Sequence, residues 1–151
     1  MSKESKIFSP NLWSTQDTIT HYESFGWELL SLNGNQIVMS RESQNSVYPE
    51  LVKFQKIYED TAAEYNSLKA PTPPVKPIGI SFGICFITFL LFLIPCIIYV
   101  AYKLNQNNEY QKTLQAYNAS LAEYNNRRSA LLEKMKSTVE QSRVVFFSKH
   151  D

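Results

Sequence analysis

Between Lys76 and Lys103 lie 26 residues, Pro77 to Tyr102, without one charged side chain: PIGISFGICFITFLLFLIPCIIYVAY. As one α-helix the run would reach ~39 Å, against a bilayer hydrocarbon core of ~30 Å. That is long enough to cross once with some tilt and too short to cross twice. A chain of 151 residues has too little protein to bury a helix that is apolar all round. Tyr99 and Tyr102, with Lys103 beside them, stand at one end as an interfacial belt does. The run predicts one transmembrane helix and a lipid bilayer as the first partner. The expected fold class is a single-pass α-helical membrane protein, with a small N-terminal α+β domain and long helices flanking the span.

The remaining composition excludes several classes. Net charge is +1, and residues 1–76 carry −2 against +3 for residues 103–151, so no strongly basic or acidic partner is implied. No basic patch with interleaved aromatics marks a nucleic-acid interface. The only cysteines, Cys85 and Cys96, fall inside the run. In one helix they would stand ~16 Å apart along the axis and could not bridge. The start, MSKESKIFSP, lacks the apolar core of a signal peptide, so the internal run is expected to act as the targeting signal.

Five segments follow in order: a small α+β domain (1–46), an amphipathic helix (47–69), a Pro-rich spacer (70–76), the span (77–102), and a long amphipathic helix with its tail (103–151). Ser14 three residues before Asp17 resembles a capping box opening a short helix, with Ile19 and Tyr22 on its apolar stripe. Gly26 falls where such a helix ends. WELLSL (27–32) and QIVMSR (36–41) read as strands around Asn33-Gly34, a strong hairpin signal. A two-residue loop there pairs Leu30 with Ile37 and Leu29 with Val38.

Phe25-Gly26-Trp27-Glu28-Leu29-Leu30-Ser31-Leu32, after a short helix and before a turn and strand, resembles the Gly-Trp-Glu-Leu segment of small bacterial βαββ domains of unknown function. The resemblance covers roughly residues 5–42, with Lys6-Ile7-Phe8 in place of the first strand. It implies a fold and a bacterial source, hence a plasma membrane, and no activity.

From Pro49 to about Leu68 apolar residues recur every three or four positions: Leu51, Phe54, Tyr58, Ala62, Tyr65 and Leu68. APTPPVKP (70–77) then behaves as a stiff extended spacer of ~20–25 Å. Residues 103–142 contain no Gly or Pro and carry a stripe of Tyr110, Leu114, Tyr117, Leu121 and Tyr124. Flanks of a single span lie on opposite sides of the membrane, so neither can cover the other's stripe. The tail RVVFFS (143–148) suits a strand or a last helical turn.

Candidate sites are few. Gly79 and Gly83 form a GxxxG that permits close pairing of membrane helices. Pro95 is expected to kink the span. His21 and His150 read as solvated surface residues. No catalytic, cofactor-binding or metal-binding constellation is present in the sequence, and no small-molecule substrate is predicted. The expected function is a membrane-anchored interaction or assembly protein, an adaptor or small subunit that pairs with copies of itself or with another membrane protein. The alternative is a pore-forming or transport-associated subunit with Ser81, Cys85, Thr88 and Cys96 lining a path.

Overall fold

A computed structural model describes residues 3–44, 46–91 and 93–148. The chain divides into two units, Met1–Leu68 with Arg127–Asp151, and Lys69–Asn126. The elements are β1 (Lys3–Phe8), α1 (Thr15–Ser24), β2 (Glu28–Asn33), β3 (Gln36–Glu42), α2 (Tyr48–Ser67), α3 (Phe82–Leu91) and α4 (Leu93–Ser148).

The first unit is built around an antiparallel sheet of order β1-β3-β2. Ser14 caps α1: its Oγ accepts from the Asp17 amide at 3.1 Å and donates to Asp17 Oδ2 at 2.7 Å. Gly26, at φ +81°, follows the last turn. A Cβ there would stand 3.0 Å from Leu51 Cδ1, so both backbone and packing select glycine. The β2–β3 register differs from the expected one. Asn33 pairs with Gln36, leaving Gly34-Asn35 as the loop, and Leu32, not Leu30, faces Ile37. Gly34 alone of the two has positive φ (+59°), the pattern of a type II′ turn. A bulge between Leu29 and Ser31 absorbs Leu30. β1 is a full six-residue partner of β3, longer than its alternation suggests, because Phe8 is its only buried residue.

Phe8, Ile19, Phe25, Trp27, Ile37, Met39 and Tyr58 form one core with Met135 and Val139. The last two come from the C-terminal part of α4. Leu131, Met135, Val139 and Ser142 follow at three- or four-residue spacing, and Ser142 Oγ donates to the Ser24 carbonyl at 2.7 Å. Arg127 pairs with Glu64 at 2.7 Å, and Arg128 donates to the Tyr65 hydroxyl. RVVFFS is thus the end of α4 and not a strand.

The expected single span is corrected. Residues 77–102 do not form one helix: residues 77–81 lie outside α3, and Lys103 Nζ meets the Ile78 carbonyl at 3.1 Å, which a straight helix would hold far away. Among the described residues, no helix is long and apolar enough to cross a membrane. The single-pass topology falls with it. What stands is a small three-stranded sheet plus helices, with a long C-terminal helix. A helix running straight through would also meet Pro95, four residues after Leu91. Its nitrogen has no hydrogen to give the Leu91 carbonyl, and its ring clashes with that oxygen. Within the first turn of α4 the same residue is tolerated, since the amides there have no helical partner.

Buried polar groups bind the first unit together. Arg41, with its side chain 4% exposed, donates to Glu4 Oε2 (3.0 Å), Gln55 Oε1 (2.9 Å) and the Phe25 carbonyl (3.2 Å). Its guanidinium lies 4.4 Å from the Trp27 ring centroid. Burial pushes the Glu4 carboxyl up, but Arg41 and Tyr48 outweigh it and hold the group below its ordinary 4.5. His21 is not a solvated surface residue. It is half-buried, with Nδ1 3.0 Å from the Tyr58 hydroxyl and its ring edge-on to Trp13. His150 lies outside the described residues. Burial lowers the His21 pKa from 6.5; Asp17 opposes this and Arg143 adds to it.

A group with a lower pKa in the folded state binds its proton more readily when unfolded, so stability falls with pH. His21 starts this loss below 6.5, and Glu4 adds to it below 4.5. The melting temperature of the chain is expected to drop from about pH 7 to about pH 5. His21→Gln should flatten that upper stage and leave the lower one.

Candidate functional site

Three contacts define how the uncharged run folds. Lys103 Nζ donates to the Ile78 carbonyl at 3.1 Å, and the Ser81 amide donates to the Tyr99 hydroxyl at 3.3 Å. The Cys85 and Cys96 thiols are hydrogen-bonding neighbours. Residues 81 and 99 in one helix would be ~27 Å apart along its axis. The chain therefore reverses direction between α3 and α4, and the run is an antiparallel helical hairpin. The midpoints of the three pairs fall at residues 90–91, the C-terminal end of α3.

Both arms carry large apolar side chains outward. Phe82 is 88% exposed, Leu90 68%, Phe86 and Ile97 65%. An open groove of about 480 Å³ runs between the arms, lined by Phe82, Cys85, Phe86, Phe89 and Cys96. Cys85 and Cys96 face one another here, whereas a single helix would hold them apart. Lys76 and Lys103 flank a second groove at the open end.

The two glycines of the GxxxG do not share a helix. Gly79 precedes α3 and Gly83 is its second residue, and a Cβ at Gly79 would meet nothing within 4 Å. The five residues of the stripe, Tyr110, Leu114, Tyr117, Leu121 and Tyr124, are half-buried, with exposed residues between them. In the Pro-rich stretch Pro71, Pro74 and Pro77 are half-buried and their neighbours exposed, the threefold period of a polyproline helix. Pro74 and Pro77 line one groove with Gln106 and Tyr110. Three polyproline residues rise ~9.3 Å and seven α-helical residues ~10.5 Å, so the two periods nearly match. From the Ile78–Lys103 contact that pitch carries Pro74 to the level of Tyr110 and Pro71 to that of Tyr117. Pro74 and Pro77 thus stand beside the start of the stripe at Tyr110, where the sequence alone showed only a spacer.

No family model, curated protein or solved structure matches the chain. Its function has to be argued from the hairpin and the seam themselves. Among the described residues, no group of three or more His, Cys, Asp or Glu is placed to hold a metal ion.

The seam carries a direct expectation. Covering about 40 Å² of a tyrosine ring contributes about 1 kcal/mol. Tyr110→Ser with Tyr117→Ser should free residues 70–77 and raise tryptic cleavage after Lys69 by about tenfold or more. Unchanged cleavage would show that the rings do not hold this segment.

Proposed function

We propose that the protein is a membrane-anchored interaction and assembly protein, with the apolar hairpin as its anchor and the α+β unit as the part that meets partners. The observation that carries this reading is the hairpin's uncharged, outward-facing apolar surface. Proteins that stay in water rarely expose a contiguous apolar patch beyond a few hundred Å². Fifteen residues of the run are Ile, Leu, Phe or Val. On the insertion scale they favour hydrocarbon by about 5–9 kcal/mol in sum.

The assembly part rests on β2. It is an edge strand, exposed along its whole length, with Leu29, Leu30 and Leu32 open and neither Lys nor Pro to discourage pairing. A second copy suits it: antiparallel pairing of two β2 strands about a twofold axis sets Leu29 against Leu32 and Glu28 against Asn33, with no like charges opposed. The element order β1-α1-β2-β3, with Trp27 just before β2, supports kinship with the bacterial βαββ domains named above, which bring no activity with them.

Flotation of the full chain with phospholipid vesicles tests the anchor. The chain is expected to rise with the vesicles and resist high salt; a chain that stays at the bottom contradicts the reading. Mass in mild detergent tests assembly. A dimer that Leu30→Lys converts to a monomer is expected, and a monomer at all concentrations contradicts it.

A further inference from the structure

We propose that the hairpin enters the membrane from one side and occupies one leaflet, so that the chain before and after it stays on the same face of the bilayer. This rests on the reading of the hairpin as an anchor. α3 is ten residues long, so each arm reaches ~15 Å, half of a ~30 Å hydrocarbon core. Residues 93–102 of α4 make an uncharged return arm of the same length.

The two ends of the hairpin differ as a one-leaflet insertion requires. Lys76, Lys103, Tyr99 and Tyr102 all lie towards its open end. There the ammonium groups meet lipid phosphates and the phenol rings rest at the headgroup level. The closed end carries none of these. Hydrocarbon would leave the first four amides of α4 without water, and Pro95 removes one of those donors. The occupant of the apolar surface is thus the acyl region of one phospholipid leaflet, with anionic headgroups at the two lysines.

The test uses the full chain, diluted from mild detergent onto preformed vesicles of phosphatidylcholine and phosphatidylglycerol. A membrane-impermeant amine reagent is applied to the floated vesicles before and after permeabilisation, and labelling is read at Lys69 and Lys112. One-leaflet insertion gives full labelling at both lysines beforehand and no gain afterwards. A gain at either lysine places that flank inside and overturns the proposal. In parallel, Leu90→Trp should be quenched most by lipids brominated near the ends of their chains, and Ile78→Trp by those brominated near the headgroup. Equal, shallow quenching at both positions would also overturn it, since the hairpin would then lie flat. A chain that fails to float contradicts the anchor reading itself, an outcome distinct from either of these.

Discussion

A chain cut after Leu68 is expected to lose cooperative unfolding, although it keeps the whole sheet, α1 and α2. Met135 and Val139 belong to one core with Phe25, Trp27 and Tyr58, and Leu131, one turn before Met135, is buried too. Burying each such side chain contributes about 1.5–3 kcal/mol, so their removal forfeits roughly 5–9 kcal/mol. A small domain has only about 5–15 kcal/mol in total. The cut also exposes the Ser24 carbonyl, which Ser142 satisfies in the intact chain. Thermal melts of residues 1–68 should show a broad slope or aggregation, and joining residues 127–148 through a flexible linker should restore a sharp transition. In the full chain, Met135→Ala should cost about 2–5 kcal/mol, because Met135 is fully buried. A sharp melt for residues 1–68 alone would show that α4 is an ornament on the unit and not part of its core.

Two carboxylates on the hairpin should release the chain from lipid. An Asp near the centre of an inserted helix costs about 2.5–3.5 kcal/mol. Phe86→Asp with Ile97→Asp therefore opposes insertion by about 6 kcal/mol, most of what the run's apolar residues supply. That corresponds to a loss of about 10⁴-fold in partitioning. Both positions are 65% exposed and belong to the second unit, so the first unit's melt should not change. Flotation should vanish while that melt stays. Flotation that persists with both substitutions would show that lipid binding, where it occurs, depends on another surface.

Much of the α+β part was legible in the sequence because its signals are local. Ser14 and Asp17 make the cap, Gly26 ends the helix, and α2 follows its three-and-four spacing. The turn was found but misplaced by one residue: Asn33-Gly34 and Gly34-Asn35 both offer a glycine, and the bulge at Leu30 is invisible to alternation. The fold of the apolar run was not legible. Mean hydropathy is the same whether 26 residues run straight or double back. Pro95 was visible as a kink, but neighbouring residues decide whether a proline bends a helix or ends it. That one misreading propagated. With the flanks assigned to opposite sides of a membrane, Leu131, Met135 and Val139 could not be seen as the lid of the N-terminal core. For the same reason Pro74 and Pro77 were not recognised as neighbours of Tyr110. Periodicity shows that a helix has an apolar stripe and is silent on what covers it.

The chain turns back on itself within the uncharged run, and Cys85 and Cys96 test this without any substitution. They are the only cysteines of the chain, and neither is in a disulfide. In the hairpin they are neighbours across the two arms and line one groove; in a straight helix they stand ~16 Å apart, beyond the ~7 Å Cα separation a disulfide tolerates. The full chain, floated with vesicles and treated with copper phenanthroline as oxidant, should form an intramolecular disulfide. Its mass falls by two hydrogens, the monomer band moves faster on a non-reducing gel, and reductant reverses both. Monomers that keep both thiols alkylatable, or that yield only intermolecular dimers, would contradict the hairpin and the account built on it.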